Sequence, residues 1–269
     1  MDVSKLQPGD EHYMAYIGYP AEYDFMGATQ FRLLCTLGLR AGHFLLDFGC
    51  GSLRAGRLFI SYLDEGRYFG IEPNKWLIEE AVQHQLGRDL VHIKKPRFDH
   101  NPDFRTDVFE EKFDFIIAQS IFSHAGADLI SATLRNFKGS LKPGGIVAAT
   151  FVDEHSLQPR RRKSLKSREI IARDFDGKGW VYPQCVNFRG STVQKMAADA
   201  GLNAVRIPWY HPRQTWYLMA GDKKRLPDGR MFRHLSGAVL FDPAFAESLT
   251  MGKRAGRHKL LERVKSIFK

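Results

Sequence analysis

The stretch Leu46-Asp47-Phe48-Gly49-Cys50-Gly51 decides the fold, because it joins the end of a buried strand to a glycine-rich turn. Residues 43–48 are almost continuously apolar, as strands are when a parallel sheet buries both of their faces. Glycines let the backbone of a turn approach a ligand closely. A second strand at 67–71 ends at Glu72, whose carboxylate can accept hydrogen bonds from both hydroxyls of a ribose. This pattern predicts a site for a ribose-containing ligand.

Positions around the turn indicate what kind of ligand it binds. Dinucleotide-binding proteins carry a third glycine three residues beyond the second, and here that position is Arg54. Asp47, two residues before Gly49, suits a positively charged ligand better than a pyrophosphate. Its carboxylate would anchor an ammonium group through bound water or backbone amides. A side chain in place of Gly51 would enter the volume of the ligand.

Strands and helices alternate along the middle of the chain. Helices with one apolar face are predicted after Asn74 and near Leu129. This alternation predicts an α/β fold, a doubly wound parallel sheet with helices on both faces. The later strands are predicted at 90–94, 113–119 and 145–152.

The chain changes character after the fifth strand. A polar, basic stretch extends to about residue 179, and a helix follows at 191–200 with Ser191 and Gln194 as a capping box. Two strands at 203–209 and 214–220 then form an antiparallel pair. Residues 1–28 carry tyrosines every three or four positions and are interpreted as a cap over the sheet edge or the site.

These features resemble the class I S-adenosylmethionine-dependent methyltransferases. The matching elements are Asp47-x-Gly49-x-Gly51, Glu72, the fourth strand at 113–117 and the turn at 141–145. The resemblance covers roughly residues 40–220. It implies a Rossmann-like, seven-stranded, mostly parallel sheet with an antiparallel terminal hairpin, and S-adenosyl-L-methionine as the cofactor.

The resemblance also implies where the cofactor binds. Asp47, Gly49, Cys50 and Gly51 would form the loop under its methionine part, and Glu72 would hold the ribose hydroxyls. Arg54 would contact the cofactor carboxylate, unless it is a surface arginine, and Asn74 or Trp76 would lie beside the adenine, unless Trp76 belongs to the helix core. Asp103 and Phe104 are expected near the adenine amino group, with Asp99 as a poorer second candidate. Gln119 and Ser120 are expected beside the sulfonium.

Candidate catalytic residues follow the fourth and fifth strands. His124 can serve as a general base because the pKa of histidine lies near neutrality, although Ser123 or His124 could instead cap the next helix. Asp153 and His155 end the fifth strand at the same sheet edge and are second candidates, with an ordinary loop role as the alternative.

Acceptor-binding residues are predicted from the aromatic side chains near both variable regions. Aromatic rings are common platforms for sugars and bases, although half of them would simply fill the core. The basic residues 160–163 lie in an inserted lid that could recruit a phosphorylated or acidic substrate. The candidate acceptor contacts are Tyr16, Tyr19, Tyr23, Ser123, Trp180 and Tyr182.

Composition sets the class of protein. The 269 residues carry a formal net charge of +10, concentrated at 156–178 and 221–269. Both segments could contact an anionic substrate, a membrane surface or nucleic acid, or could be ordinary solvated surface. No apolar run approaches the ~20 residues of a spanning helix, and no leading segment has the pattern of a secretory signal. Three distant cysteines indicate no disulfide framework and no zinc site.

Domain organisation and location follow from these patterns. We expect an N-terminal cap at 1–40, a cofactor-binding domain at 41–220 with a lid insertion at about 155–189, and a basic extension at 221–269. The last twelve residues, 258–269, form an amphipathic helix that packs on the body or on a membrane. A cytoplasmic location is expected.

The expected reaction is methylation of an oxygen of a polar small molecule or glycan. It depends on His124 and on the lack of the Asn-Pro-Pro-Tyr signature that base and amide N-methyltransferases often carry at the fourth strand. One alternative is an RNA or protein methyltransferase, which the charge suggests. Another is a catalytically silent cofactor-binding partner subunit. A third is an aminopropyltransferase, although the sequence does not show the acidic substrate-binding pattern of those enzymes.

Overall fold

A seven-stranded sheet lies at the centre of the chain, in the computed structural model that describes residues 2–156, 173–228 and 231. Its strand order is β3-β2-β1-β4-β5-β7-β6, and β7 runs in the opposite direction to the other six strands. The predicted mostly parallel sheet with an antiparallel hairpin is therefore confirmed. The strands are Leu45–Phe48 (β1), Tyr68–Ile71 (β2), Arg97–Asp99 (β3), Phe113–Ala118 (β4), Leu141–Phe151 (β5), Asn203–Ile207 (β6) and Thr215–Ala220 (β7).

Helices cover both faces of this sheet. The apolar sides of α5 and α6 pack in one core with Phe48 and Phe151, while α1, α2 and α3 pack in a second core with Leu45 and Phe115. The two separate cores are what a doubly wound sheet requires. The α-helices are Tyr23–Thr36 (α1), Gly56–Tyr62 (α2), Lys75–Ala81 (α3), Arg88–Lys94 (α4), Ala127–Ser140 (α5) and Gly190–Asp199 (α6).

The third strand was placed wrongly by the sequence pattern. Residues 90–94 belong to α4, and the strand is the short Arg97–Asp99 at the sheet edge. An edge strand needs no long apolar run, because one side of it faces solvent. Its central residue, Phe98, pairs with Gly70 and fills the space where a side chain at Gly70 would lie.

Two helix predictions also need correction. Helix α1 lies where only an N-terminal cap was expected, because tyrosine spacing among Gly and Pro gave no helix signal. Helix α6 begins at Gly190 with no side-chain cap from its own N-cap residue, so the capping box at Ser191 is wrong. Distant carboxylates replace it, since Glu154 accepts from the amide of Gly190 at 2.8 Å and Asp174 from that of Arg189 at 2.6 Å.

The basic quartet at 160–163 and the amphipathic segment at 258–269 lie outside the described residues. Within the described part, no helix combines the length and apolar character needed to span a bilayer.

Candidate active site

A cavity of about 830 Å³ opens at the carboxyl ends of β1, β2 and β4. Segments that are distant in sequence converge on it, including residues 8–9 and 16–19 before α1 and residues 180–185 before α6. The sequence-predicted residues that line it are Tyr16, Tyr19, Asp47, Gly49, Cys50, Gly51, Arg54, Glu72, Asn74, Phe104, Gln119, Ser120, Ser123, His124, Trp180 and Tyr182.

The glycine turn and Glu72 form one hydrogen-bonded unit. The buried Glu72 carboxylate accepts from the Gly51 amide at 3.1 Å, and from the amide and side chain of Asn74 at 2.9 and 2.8 Å. Each carboxylate oxygen has two lone pairs, so Glu72 retains accepting capacity toward the cavity.

The conformation of the turn excludes side chains. Gly49 and Gly51 have positive φ values of 72° and 54°, where a Cβ is strained. A Cβ on Gly49 would strike the side chain of Ile121, and one on Gly51 would lie 2.9 Å from Cγ2 of Ile17. Because Ile17 also lines the cavity, a side chain at Gly51 would crowd the cavity wall, and its entry into the ligand volume stays a prediction.

Asp47 and Arg54 place opposite charges in the cavity wall. Burial raises the pKa of Asp47 to about 7, although a hydrogen bond from the Tyr68 hydroxyl at 2.8 Å opposes the shift. Burial lowers the pKa of Arg54 to about 10, so it stays cationic at neutral pH. Arg54 precedes α2 and lines the cavity, which corrects the alternative that it is a surface residue of a helix.

His124 is held in one tautomer. Its Nδ1 lies 2.9 Å from the carbonyl oxygen of Gln184, which can only accept, so Nδ1 carries the proton and Nε2 keeps a lone pair. Burial lowers the pKa of His124, which keeps the ring neutral at neutral pH. Capping does not explain the residue, because α5 has Gly126 as its N-cap and no side-chain cap, and the Ser123 hydroxyl donates to the Ser120 carbonyl.

Asp153 and His155 lie outside this cavity lining, which corrects their proposed catalytic roles. The buried Asp153 carboxylate accepts from the hydroxyls of Thr215 and Tyr217, both at 2.6 Å. It therefore ties the end of β5 to β7. His155 lies beside Glu154, with its Nε2 3.7 Å from a carboxylate oxygen of that residue.

Three further predicted contacts are absent from the described cavity lining. Tyr23 is buried and its hydroxyl donates to the Ser52 carbonyl at 2.7 Å. Trp76 contacts Tyr16 edge to face, with ring centroids 5.3 Å apart. Asp103 is exposed, and its neighbour Phe104 reaches the cavity in its place.

Arg213 and Gln214 line the cavity and were missed. Gln214 donates from Nε2 to the Ser120 hydroxyl at 3.0 Å, and Arg213 forms two hydrogen bonds with Glu22 at 3.1 and 2.7 Å. Both residues directly precede β7. Because β7 runs antiparallel, its beginning lies at the carboxyl edge of the parallel strands, so the predicted hairpin contained the signal for them.

Comparison with known families agrees with this architecture. Residues 46–147, which contain the glycine turn, Glu72, β4 and the start of β5, match a family model described as a methyltransferase domain. The resemblance to the class I S-adenosylmethionine-dependent methyltransferases predicted from the sequence is therefore confirmed over this part of the chain.

Relatives of this chain are distant in sequence. An uncharacterized protein of Methanocaldococcus jannaschii is 26% identical over 156 residues, which are 55% of this chain and 39% of that protein. The chain thus matches well under half the length of this curated relative.

Solved structures share the fold. A magnesium protoporphyrin IX methyltransferase from Synechocystis PCC 6803 with bound S-adenosylmethionine has a TM-score of 0.52 and 12% identity, covering 74% of this chain and 80% of its own. The glycopeptide N-methyltransferase MtfA has a TM-score of 0.52 and 8% identity, covering 72% and 90%.

S-adenosylmethionine is the cofactor of this family, and the cavity has the groups to hold it. The cofactor presents an ammonium, a carboxylate and ribose hydroxyls, for which Asp47, Arg54 and Glu72 are chemically matched partners. Four buried side-chain polar atoms have no hydrogen-bond partner among the described residues, and three of them belong to residues of the cavity lining: Nε of Arg54, Oε1 of Gln119 and Oε1 of Gln214. A polar ligand in the cavity would satisfy them.

Proposed function

We propose that the protein transfers the methyl group of S-adenosylmethionine to a hydroxyl oxygen of a small molecule. The observation that carries this proposal is the fixed tautomer of His124, a residue of the cavity lining whose Nε2 is left unprotonated. A hydroxyl acceptor must lose a proton as it is methylated, and a positioned neutral imidazole can take it.

The chain's own residues would divide the task. When bound, S-adenosylmethionine supplies an electrophilic methyl group on a positively charged sulfur. Glu72, Asp47 and Arg54 would orient it, while His124 would receive the acceptor proton at Nε2. The Gln184 carbonyl would then stabilise the imidazolium through the hydrogen bond from Nδ1.

The size of the cavity supports a small acceptor. Ligand pockets usually measure about 300–1,000 Å³. At about 830 Å³, this cavity lies in the upper part of that range, which favours a cofactor together with a compact acceptor. A cavity of this size also accommodates a glycan of one or two rings as the acceptor.

Acceptor screening with methyl-labelled S-adenosylmethionine and the full chain tests this function. Phenols, sugars, peptides and RNA are offered in parallel, and the ¹³C shift of the labelled methyl distinguishes O-methyl from N-methyl products. We expect O-methyl products from small hydroxyl compounds. The proposal would be overturned by methylation of nitrogen, or by methylation confined to RNA or peptide. Cofactor binding without methyl transfer to any acceptor class would also overturn it and would indicate a catalytically silent partner subunit.

A matched pair of variants tests the base. His124→Gln should lower kcat by about 100-fold or more while leaving the Kd for S-adenosylhomocysteine nearly unchanged. His92→Gln, at an exposed histidine of α4, is the control and should retain full activity. Equal turnover in both variants would exclude His124 as the base.

A further inference from the structure

Exposed aromatic rings concentrate at the cavity. Most large apolar side chains of the described residues are buried, and five have notable exposure, from 43% to 61%. Three of the five line the cavity, Tyr19, Trp180 and Tyr182. Leaving such rings open to water forgoes the free energy of burial, so their clustering at one mouth indicates a surface that a ligand covers.

Four rings form a continuous wall, which we name the aromatic subsite: Phe104, His124, Trp180 and Tyr182. Trp180 and Tyr182 are nearly parallel, with an interplanar angle of 13° and centroids 6.4 Å apart. His124 meets both edge to face, at 5.6 and 5.1 Å, and Phe104 lies 5.6 Å from Trp180. The candidate base is therefore part of the same wall as the exposed rings.

Backbone hydrogen bonds fix this wall before any ligand binds. The Val181 amide donates to the His124 carbonyl at 2.8 Å, and the Val186 amide donates to the Ser123 carbonyl at 2.8 Å. The Gly179 amide donates to the Asp128 carboxylate at 3.0 Å. The segment carrying both exposed rings is thus attached to the loop that carries His124, so binding there costs little ordering of the protein.

We propose that the aromatic subsite binds the ring of a phenolic acceptor and directs its hydroxyl toward Nε2 of His124. This inference rests on the proposed O-methylation and narrows its substrate class. In the reaction the phenolic oxygen forms a bond to the methyl carbon, the carbon–sulfur bond breaks with its electron pair remaining on sulfur, and the phenolic proton passes to Nε2. The products are an aryl methyl ether and S-adenosylhomocysteine.

The polar groups of the subsite favour an aromatic ring over a sugar. Beyond Nε2 of His124, its side chains offer one indole N–H and one phenol hydroxyl. A sugar ring carries several hydroxyls, and each one buried without a hydrogen-bond partner weakens binding. A planar ring with one hydroxyl instead matches a wall of ring faces and edges that ends in one basic nitrogen.

The acidity of the acceptor hydroxyl also favours a phenol over an alkyl alcohol. Burial weakens His124 as a base by lowering its pKa. A phenolic hydroxyl, with a pKa of about 10, yields its proton far more readily than an alkyl hydroxyl does. A weak base is therefore better matched to a phenol.

Calorimetric titration of the full chain saturated with S-adenosylhomocysteine tests the subsite without any turnover. The probes are 2-naphthol, its saturated counterpart decahydro-2-naphthol, and methyl glucoside. We expect 2-naphthol to bind at least 10-fold more tightly than either of the others. Trp180→Leu should weaken 2-naphthol binding about 10-fold, Trp180→Phe should restore most of it, and Phe25→Leu, at an exposed ring outside the cavity lining, should change nothing.

The outcomes separate this inference from the proposed reaction. The phenolic subsite would be overturned by any of four results: equal affinity for 2-naphthol and its saturated counterpart, higher affinity for the glucoside, no binding of 2-naphthol, or unchanged 2-naphthol binding in Trp180→Leu. If the subsite fails while small alkyl alcohols are still methylated with dependence on His124, O-methylation stands. If 2-naphthol binds as expected but only nitrogen acceptors are methylated, the proposed reaction is wrong.

Discussion

Replacing Asp47 with asparagine should stabilise the protein against unfolding while weakening its hold on the cofactor. Burial raises the pKa of Asp47 from 3.8 to about 7, so the folded state holds a proton that the unfolded state has already lost. Each unit of pKa difference is worth about 1.4 kcal/mol, which gives about 4 kcal/mol here at high pH. Asparagine carries no charge and can still accept from the Tyr68 hydroxyl.

The raised pKa of Asp47 determines how the stability difference between Asp47→Asn and the wild type changes with pH. Ionisation of Asp47 costs the wild type stability as pH rises from about 4 to about 7, so the advantage of Asp47→Asn should grow over that window. About 2.5 kcal/mol of the difference should develop between about pH 5 and pH 8. Urea unfolding of both proteins at several pH values measures it, since other titrating groups cancel in the difference.

Calorimetry should show that Asp47→Asn binds S-adenosylmethionine more weakly than the wild type. The control for binding is Asp64→Asn, at an exposed carboxylate outside the cavity lining, which should bind it as tightly as the wild type. A stability difference for Asp47→Asn that is flat with pH, or one that shrinks as pH rises, would refute the interpretation that the buried Asp47 carboxylate destabilises the folded protein.

Four further substitutions test separate parts of the site. Glu72→Ala should weaken S-adenosylmethionine binding by at least roughly 10-fold, because the accepting position that Gly51 and Asn74 leave free can take a charge-assisted hydrogen bond worth about 1.5–3 kcal/mol; unchanged affinity in calorimetry would remove its ribose role. Gly49→Ala should cost about 1–2 kcal/mol in urea unfolding, because its φ of 72° strains a Cβ that also meets Ile121. Asp153→Ala should cost about 3 kcal/mol or more by stranding buried hydroxyl donors, yet the remaining folded protein should keep its turnover; a selective loss of kcat would restore a catalytic role. For His124, kcat/KM should fall as pH drops through a pKa below 6.5, and the acid limb should be absent in His124→Gln.

The elements that were predicted correctly are those whose signal is local. Buried parallel strands are mostly apolar, so β1, β2, β4 and the buried part of β5 could be recognised from their runs of apolar residues. The polar start of β5, from Leu141, was predicted as a turn at 141–145 and is part of the strand. The edge strand β3 could not, because Arg97–Asp99 is half exposed and Leu90 and Val91 beside it are more apolar although they lie in a helix. The position in the tertiary structure, and not the intrinsic β-propensity of the residues, determined which segment forms the edge strand.

Site residues divide in the same way. Asp47 lies near the end of β1, while Glu72 and His124 follow β2 and β4, and the carboxyl ends of parallel strands meet at one edge of the sheet. The sequence by itself determined that these groups would lie close together. It could not determine that Asp153, also at a strand end, turns away from the cavity, because the partners that hold it come from β7, more than sixty residues away.

Only the tertiary structure decided the position of the aromatic subsite. Trp180 and Tyr182 are ordinary aromatic residues in a polar stretch, and no local pattern distinguishes them from Tyr23, which is buried. Backbone hydrogen bonds from their segment to the loop at His124 place their rings beside that of His124. Such bonds can join any two backbones irrespective of side chain, so the sequence does not reveal them, and the rings of the proposed acceptor site come together only when the chain is folded.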